Sequence, residues 1–425
     1  MIIHVVSYGE TLFSIAQAYG LDPARISADN QVPANGALAV GQTLVLRFPR
    51  LVHAVAPGES LFSIAAQYGV TVRRLYQNNF SLGGHPALAA GQQLVISYLD
   101  EAKLGAAAFN GYAYPFIPPD LLDASLPYLT YLTPFTYGIT DTGDLLPLED
   151  AALLASARLL KTAPMLHLST LTESGGFSSQ RAVELLTSEA AQDRLIGEIL
   201  RVMDEKGFHG ADVDFEYIPA SQGPAYAAFL SRLRAALYPR PLWAALAPKI
   251  SAEQPGLLYE AHNYAAIGAA VDAVLLMTYE WGYTAGPPMA VAPLPNVRAV
   301  LDYAVTEIPP EKIFLGLPNY GYDWPLPFVQ GTTRARSISS QEAIALAVRY
   351  GAAISYDVTA QSPWFRYTDE NDVQHEVWFE DARSLDKKLR LIAEYGFLGA
   401  GIWNLMRPFS QLWLLIASLY DIQEI

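Results

Sequence analysis

Short apolar segments alternate with helical segments eight times between residue 104 and the C-terminus. Strands that alternate with helices are typical of a parallel sheet covered by helices, which defines an α/β protein. Eight such units in about 320 residues predict a (β/α)8 barrel, the TIM barrel, with insertions. Helical patterns lie between the strands, for example at Ser188–Lys206 and Pro224–Leu237. The predicted strands are Leu104–Phe109, Tyr131–Phe135, Pro164–Ser169, Gly210–Glu216, Leu242–Ala247, Ala273–Tyr279, Ile313–Leu317 and Gly399–Trp403.

The seventh unit is much longer than the others, because its connection runs from Leu317 to Gly399. It contains a helical pattern at Ser340–Tyr350 and three strand-like runs. These runs are Ile354–Tyr356, Trp364–Tyr367 and Glu376–Phe379. Together they predict a small α+β insertion over about residues 325–385, which would form a wall beside the rim of the barrel and deepen a groove there.

The fourth predicted strand carries acidic residues at three alternate positions. Successive side chains of a strand point to opposite faces, so Asp212, Asp214 and Glu216 share one face. The apolar residues between them are expected to be buried on the other face. Three neighbouring carboxylates do not all remain ionised, so at least one should hold a proton near neutral pH, as a general acid must. A half-exposed strand with a solvated acidic face is the alternative.

The first hundred residues contain an internal repeat. His4–Ala16 matches His53–Ala65 at an offset of 49, and Gly41–Leu44 matches Gly91–Leu94 at an offset of 50. Each copy predicts a strand, two helices and a second strand. This pattern resembles the LysM module, a βααβ unit that binds glycans containing N-acetylglucosamine. The alternative is a pair of small helical repeats that bind protein. The predicted domains are module 1 at 1–48, module 2 at 51–98 and the barrel at 103–425.

The charge and composition of the chain argue against several kinds of partner. The net charge is −15, and because residues 1–99 are nearly balanced, the negative charge belongs to the barrel domain. This charge argues against nucleic acid as a partner. The chain has no cysteine, and His209 has no second histidine near it in sequence, so we expect no metal and no cofactor. No apolar run is long enough to span a bilayer, and the first residues do not have the pattern of a cleaved signal peptide.

Three segments of the barrel domain, His209–Glu216, Met277–Glu280 and Trp403, resemble motifs of glycoside hydrolase family 18, which contains chitinases and related N-acetylglucosaminidases. His209–Glu216 is similar to the strand-four motif of that family, Asp-Gly-x-Asp-x-Asp-x-Glu. Met277–Glu280 is similar to its Met-x-Tyr-Asp motif on strand six, and Trp403 to its tryptophan on strand eight. Two positions differ, because His209 replaces the first aspartate of the strand-four motif and Glu280 replaces the aspartate of the strand-six motif.

The resemblance implies retaining hydrolysis in which the 2-acetamido group of the substrate is the nucleophile. Glu216 would protonate the leaving oxygen and later deprotonate water. Asp214 would hold the acetamido N–H and share a proton with Asp212. Tyr279 would hydrogen-bond the acetamido carbonyl, and Trp403 would form the floor under the sugar.

Other residues near the predicted strand ends are candidates for substrate binding. Glu280 and Met277 belong to the strand-six motif, and several aromatic residues could stack on sugars or pack in the core. His167 on the third strand is interpreted as an interior histidine rather than a catalyst. The aromatic candidates are Tyr112, Trp281, Tyr320 and Trp324.

Two modules followed by a barrel, with Met277–Tyr283 and Gly321–Trp324, are most similar to the spore cortex-lytic and spore-coat N-acetylglucosaminidases of endospore-forming bacteria. This resemblance implies a monomeric peptidoglycan hydrolase of the spore that cleaves the β-1,4 bond after N-acetylglucosamine, with no nucleic-acid or membrane partner. The LysM modules would bind the same glycan. Two alternatives stay open at this point, a chitinase that acts on a chitin-like glycan and a non-catalytic carbohydrate-binding scaffold of the spore coat.

Overall fold

The N-terminal repeat forms two βααβ modules in the computed structural model, which describes residues 1–33, 36–99, 102–172 and 175–425. A short 3₁₀ helix at Phe80–Leu82 follows the second helix of module 2. Module 1 consists of β1 (Ile2–Val5), α1 (Leu12–Tyr19), α2 (Pro23–Asn30) and β2 (Thr43–Leu46). Module 2 consists of β3 (Pro49–Ala54), α3 (Leu61–Tyr68), α4 (Val72–Asn78) and β4 (Gln93–Tyr98).

The two modules begin and end their first helices in the same way. Thr11 and Ser60 accept hydrogen bonds from the third backbone N–H of α1 and α3, in capping boxes that satisfy free backbone donors. Gly20 and Gly69 end the two helices with φ values of 65° and 64°. Glycine adopts this left-handed conformation without steric cost, which explains why both helices stop there.

The rest of the chain contains fourteen strands and ten helices in its described part. The strands are β5 (Ala106–Ala113), β6 (Tyr131–Pro134), β7 (Ala163–Ser169), β8 (Gly210–Asp214), β9 (Leu242–Leu246), β10 (Ala273–Leu276), β11 (Ile313–Pro318), β12 (Tyr320–Pro325), β13 (Arg336–Ser339), β14 (Ser355–Asp357), β15 (Ser362–Thr368), β16 (Gln374–Trp378), β17 (Gly399–Trp403) and β18 (Asp421–Ile422). The helices are α5 (Pro119–Ser125), α6 (Ala151–Leu159), α7 (Ser179–Leu186), α8 (Glu189–Lys206), α9 (Gly223–Leu237), α10 (Tyr264–Ala270), α11 (Leu294–Glu307), α12 (Ser340–Tyr350), α13 (Ala382–Tyr395) and α14 (Ser410–Leu419).

Eight parallel strands, β5 to β11 and β17, form a closed barrel. Each strand pairs with the next, and β17 pairs with both β11 and β5, which closes the sheet. A ninth, short strand, β18, pairs with the first two residues of β5, Ala106 and Ala107, before β5 begins to pair with β17. The predicted TIM barrel is confirmed, and helices cover its outer face as such barrels require.

Three strands end two or more residues away from the position that the sequence predicts. β5 continues to Ala113, past Asn110. Asparagine is uncommon in strands, but Asn110 is buried here and accepts a hydrogen bond of 2.8 Å from the Thr133 hydroxyl of the neighbouring strand. β8 ends at Asp214 and β10 at Leu276. Glu216 and Tyr279 therefore lie just beyond strand ends, in the loops at the carboxyl-terminal rim.

The barrel has separate apolar layers inside and outside its sheet. The outer layer joins the sheet to the surrounding helices, and Val213 and Phe215 belong to it. The inner layer fills the barrel below the rim and includes Met165, Trp243 and Phe314. Because side chains alternate along β8 and its extension, Asp212, Asp214 and Glu216 face the barrel interior.

The insertion between β11 and β17 is a five-stranded antiparallel sheet in the order β13-β12-β16-β15-β14, with α12 packed against it. α12 spans Ser340–Tyr350, and three of the five strands lie close to the predicted runs. The sequence did not predict β12 or β13. β12 contains Asp323 and ends at Pro325, residue types that are uncommon in strands, and only pairing with β13 and β16 identifies it.

Both modules are docked on the barrel. In module 1, the Thr43 hydroxyl donates to the side-chain oxygen of Gln411 at 2.9 Å, and the Gln411 amide donates back to the Thr43 carbonyl at 2.7 Å. In module 2, the Gln77 amide donates to the Pro127 carbonyl at 2.8 Å. Arg25 joins the modules, since it donates to the Asn78 carbonyl at 2.7 Å. Within the described residues, no helix is long and apolar enough to cross a membrane.

Candidate active site

The three acidic residues of the fourth strand reach the rim of the barrel. Asp212 and Asp214 lie on β8, and Glu216 lies two residues beyond its end. Val213 and Phe215 point the other way and are fully buried, with Phe215 stacked on Tyr226 and Phe229 of α9 at 5.7 and 6.0 Å between ring centroids. Because the apolar partners are held in the outer layer, the three carboxyl groups face the interior of the barrel.

Asp212 is the most deeply buried of the three acids. It is completely inaccessible to solvent, and its Oδ2 accepts a hydrogen bond of 2.8 Å from the Tyr112 hydroxyl. Its Oδ1 has no hydrogen-bond partner among the described residues. Burial raises the pKa of Asp212 to about 6, and the hydrogen bond from Tyr112 opposes that rise.

Asp214 is also buried and lacks a partner for its Oδ1 within the described part of the chain. Burial raises its pKa well above the ordinary value, and the negative charges of Glu216 and Asp212 raise it further. His167 does not neutralise these acids, because its Nε2 lies 3.9 Å from Asp214 and 4.0 Å from Asp212. Burial lowers the pKa of His167 to about 3, so the ring is neutral at pH 7. The pair therefore lowers its total charge when Asp214 holds a proton.

Glu216 lies closer to solvent than either aspartate and is half-buried. Burial raises its pKa to about 7, and the negative charge of Glu280 contributes to the rise. At neutral pH the carboxyl group is therefore populated in both its protonated and ionised forms. A group with this balance can donate a proton in one step and accept a proton in the next.

Glu280 lies in the loop after β10 and has a φ of 67°. Its carboxylate accepts hydrogen bonds from two tyrosine hydroxyls of β12. The Tyr322 hydroxyl lies 2.9 and 3.1 Å from its two oxygens, and the Tyr320 hydroxyl makes a very short contact with Oε1. The insertion thus fixes the position of a carboxylate that belongs to the barrel rim.

A groove opens between the rim and the insertion, and Glu280 lines it. The main cavity of the groove has a volume of about 370 Å³. Trp403, the last residue of β17, lies on the barrel side and packs against Phe135 and Tyr112 at centroid distances of 4.8 and 5.9 Å. The cavity is lined by Tyr114, Phe116, Glu280, Tyr320, Tyr322, Ser337, Trp403, Asn404, Met406 and Arg407.

Comparison with known proteins identifies the domains that form this structure. The model of the family described as Glycosyl hydrolases family 18 matches residues 137–407. The chain belongs to this family. The model described as LysM domain matches residues 4–47 and 53–97, so both modules are LysM domains.

A cortical fragment-lytic enzyme and a spore cortex-lytic enzyme are similar to this family 18 chain over nearly its whole length, and a chitinase is similar over about three quarters of it. A cortical fragment-lytic enzyme of Bacillus subtilis is 40% identical over 430 aligned residues, which cover 99% of each chain. The crystal structure of the Bacillus cereus spore cortex-lytic enzyme SleL is 38% identical, with a TM-score of 0.84 over 100% of this chain and 98% of that one. A chitinase structure from Chromobacterium violaceum is 26% identical, with a TM-score of 0.68 over 74% and 98% of the two chains.

Most of the site residues predicted from the family 18 motifs lie near one another. Tyr279 follows β10 directly, and its pKa is raised well above the ordinary value by burial and then by the charges of Asp214 and Glu216. Met277 is partly buried, and its backbone N–H donates to the Leu246 carbonyl at 3.0 Å. Trp403 and Glu280 line the groove, as described above.

The aromatic candidates for sugar stacking have different positions. Tyr320 is 4% exposed, lines the groove and is bound to Glu280 through its hydroxyl. Tyr112 is 3% exposed and binds Asp212, so it has an interior position rather than an open face for stacking. Trp324 is fully buried and donates to the Gly286 carbonyl at 2.8 Å, which agrees with the packing alternative. Trp281 is partly buried and packs against the outer apolar layer.

Sequence reasoning missed several residues of the groove. Tyr114 and Phe116 follow β5 and form a stacked pair at 5.3 Å, with Phe116 74% exposed at the mouth of the groove. Tyr322 lies on a strand that was not predicted, and Arg407 lies in the loop after β17. An aromatic pair directly after a barrel strand was a usable signal for the first two, because such positions lie at the rim.

Proposed function

We propose that this chain hydrolyses the β-1,4 bond after N-acetylglucosamine in spore cortex peptidoglycan, with retention of the anomeric configuration. One observation carries the proposal: Asp212, Asp214 and Glu216 lie together on β8 and its extension at the rim, where burial raises the pKa of all three and that of Glu216 to about 7. The full-length similarity to cortical fragment-lytic enzymes supports cortex as the polymer.

The arrangement of the acids determines which group acts as nucleophile. Most retaining glycosidases place two carboxyl groups on opposite sides of the scissile bond, and one of them attacks the sugar. Here Asp212, Asp214 and Glu216 belong to one strand and its extension, so they approach the sugar from one side. The acetamido oxygen of the substrate then attacks the anomeric carbon, as in the substrate-assisted members of this family.

Glu216 serves in both steps of this reaction. In the first step the acetamido oxygen forms a bond to the anomeric carbon, the glycosidic C–O bond breaks, and the leaving oxygen takes the proton of Glu216. In the second step water attacks the anomeric carbon, the oxazolinium ring opens, and the glutamate takes a proton from that water. The pKa of about 7 suits both roles at neutral pH.

The two aspartates position and stabilise the acetamido group. Protonated Asp214 has one oxygen without a partner in the described structure, and this side of the carboxyl group is available to the acetamido N–H. As positive charge develops on the acetamido nitrogen, a proton passes from Asp214 towards Asp212, so that an anion faces the cation. Tyr112 holds Asp212 in place through its hydroxyl.

The remaining site residues bind the sugar chain. Tyr279 donates its hydroxyl to the acetamido carbonyl, and Trp403 forms the apolar floor. Glu280 accepts hydrogen bonds from sugar hydroxyls, with Tyr320 orienting its carboxylate. Met277 and Trp281 shape the loop after β10, and Phe116 offers an exposed face on which a sugar at the groove mouth can stack. Every group in this scheme comes from one chain, so a monomer suffices.

The LysM modules bind the same polymer, and the enzyme works in the spore. Because both modules are docked on the barrel through buried hydrogen bonds, they hold the glycan at a fixed position relative to the groove. Binding at one site then raises the local concentration of cleavable bonds at the other.

The proposal is tested by mass spectrometry of the fragments that the enzyme releases from purified cortex, vegetative wall and chitin. We expect cortex fragments that end in a reducing N-acetylglucosamine, and much slower release from chitin. Fragments that end in reducing muramic acid would contradict the proposed linkage, and faster release from chitin would contradict the proposed polymer.

A further inference from the structure

One cation lies in a groove that is otherwise acidic or neutral. Among the residues that line the main cavity, Arg407 alone is positively charged in the described part of the chain. A second cavity of about 360 Å³ shares Met406 and Arg407 with the first and extends the groove along the start of α12. Arg407 therefore lies where the two cavities meet, away from the catalytic acids and along the path of an extended ligand.

The backbone of Arg407 is fixed by a buried side chain. The amide of Asn319, which is 1% exposed, donates to the Arg407 carbonyl at 2.9 Å and to the Asn404 carbonyl at 3.1 Å. The Arg407 N–H also donates to the Asn404 carbonyl at 3.3 Å. The position of this cation is thus built into the loop after β17, and its side chain remains 32% exposed.

The guanidinium group of Arg407 is only weakly neutralised. Its Nη2 donates to the Ser337 hydroxyl at 3.0 Å. The nearest acid is Glu342, whose Oε2 lies 3.9 Å from Nη1, beyond hydrogen-bond distance. That oxygen already accepts a hydrogen bond of 2.6 Å from the Ser339 N–H, as part of the capping box of α12. Glu342 therefore already has a hydrogen-bond donor in the cap of α12. The Arg407 guanidinium group remains available to bind an anionic ligand.

We propose that Arg407 determines specificity by binding an anionic substituent on a sugar next to the reacting N-acetylglucosamine. A guanidinium group binds a carboxylate through two parallel hydrogen bonds. Muramic acid carries such a carboxylate on its lactyl group or attached peptide, whereas the sugars of chitin are neutral. Both neighbours of an N-acetylglucosamine in peptidoglycan are muramic residues, so the argument holds on either side of the scissile bond. This inference rests on the proposed glycosidase function.

The test compares two soluble substrates that differ only in charge. One is a tetrasaccharide of alternating N-acetylglucosamine and N-acetylmuramic acid with free lactyl carboxylates, and the other is its carboxamide. For Arg407→Gln, we expect kcat/KM on the acidic substrate to fall roughly 10- to 100-fold more than on the carboxamide, because a charge-assisted hydrogen bond is lost. Arg407→Lys should show an intermediate loss, since it keeps the charge without the paired geometry.

Two further variants sharpen the comparison. Arg334→Gln removes an exposed arginine that lines neither cavity, and it should leave the ratio between the substrates as in the wild type. Glu342→Gln removes the nearest carboxylate, which is bound to the Ser339 N–H, and should change this ratio much less than Arg407→Gln does. In the wild type, added salt should lower the preference for the acidic substrate, which tests the proposal even if a variant fails to fold.

The outcomes separate this inference from the proposed function. Equal losses on both substrates for Arg407→Gln, or no preference of the wild type for the acidic substrate, would overturn the role of Arg407 and leave the hydrolase intact. A wild-type enzyme that cleaves neither tetrasaccharide nor chitotetraose would instead contradict the glycosidase function itself.

Discussion

Two of the places where the molecule buries carboxyl groups differ in whether a cation lies beside the acid. Glu380, at the start of the segment that leads into α13, is fully buried, and the Lys388 ammonium donates to both of its oxygens at 2.8 and 3.0 Å. Asp212 and Asp214 are also buried, but each has one oxygen without a partner among the described residues, and the nearby His167 is neutral. Burial raises the pKa in both places, and only Glu380 has a cation that opposes the rise.

This difference separates a structural acid from a catalytic one. A buried ion pair satisfies its own charges and ties elements together, although it adds little net stability. Unpaired buried acids destabilise the fold when they ionise, so their pKa values are raised, and acid catalysis at neutral pH requires a carboxyl group with a raised pKa. The contrast predicts that changes at the two places affect different measurements.

The largest expected effect is on catalysis. Glu216→Gln removes the group that we assign to proton transfer with the leaving oxygen and with water, while it keeps the shape of the side chain. We expect kcat on cortex fragments to fall by about 10²- to 10⁴-fold, with binding of the fragments retained. Steady-state kinetics and fragment binding to the inactive variant check this prediction. Near wild-type turnover would remove Glu216 from its assigned role.

Breaking the structural pair should affect stability instead. Lys388→Met leaves Glu380 buried without its cation, and we expect the free energy of unfolding to fall by about 3–5 kcal/mol. Thermal and urea unfolding measure this change, while kcat at a temperature where the variant is folded should remain that of the wild type. The double variant Glu380→Gln, Lys388→Met should recover most of the loss, because no buried charge remains. A loss in the double variant as large as in the single variant would contradict this explanation.

Removing the charge of a catalytic acid should stabilise the fold, which is the reverse of the effect of breaking the structural pair. The pKa of Asp212 is about 6 in the fold and near 3.8 in the unfolded chain, so the native state binds the extra proton between these values. Stability is then lost as pH rises from about 4 to 6, by about 3 kcal/mol in total. Asp212→Asn should therefore unfold at a higher temperature than the wild type at pH 8, and at nearly the same temperature at pH 4, while its activity falls. If Asp212→Asn is less stable than the wild type at pH 8, ionisation of Asp212 does not destabilise the fold as proposed.

The smallest expected effect is on the pH profile. The charge of Glu280 contributes to the raised pKa of Glu216, so Glu280→Gln should let Glu216 ionise more easily. We expect the alkaline limb of the kcat/KM profile to move to lower pH by up to about one unit. Tyr322→Phe is the matched control, because it removes a hydroxyl from the same carboxylate but keeps the charge. Movement to higher pH in Glu280→Gln would contradict the assigned coupling.

The sequence was sufficient to predict the barrel and the acidic strand because both depend on local patterns. Apolar runs separated by helices give eight strands, and alternation along one strand gives the shared face of Asp212 and Asp214. The end of β8 at Asp214 was not predictable in this way, since Tyr217, with a φ of 56°, turns the chain there through contacts that only the fold supplies. Strand ends depend on neighbouring strands as well as on composition.

Charged residues at the domain contacts could not be interpreted from sequence. Arg25 lies in a short polar helix and is typical of a solvated face, yet it donates to the Asn78 carbonyl and to the Tyr98 hydroxyl of the other module, both at 2.7 Å. Arg47 lies over the Tyr98 ring at 3.6 Å. Such contacts join segments that are distant in sequence, and a charge pattern alone does not distinguish them from solvent exposure. Arg407 in the groove was missed for the same reason.

The central claim is that burial, together with the negative charge of Glu280, raises the pKa of Glu216 so that this carboxyl group is partly protonated at neutral pH. The most direct test is a titration of the Glu216 carboxyl carbon by ¹³C NMR, assigned by the signal that disappears in Glu216→Gln. We predict an ionisation midpoint near pH 7 in the free enzyme. A midpoint close to 4.5, the value of an ordinary glutamate, would contradict the account.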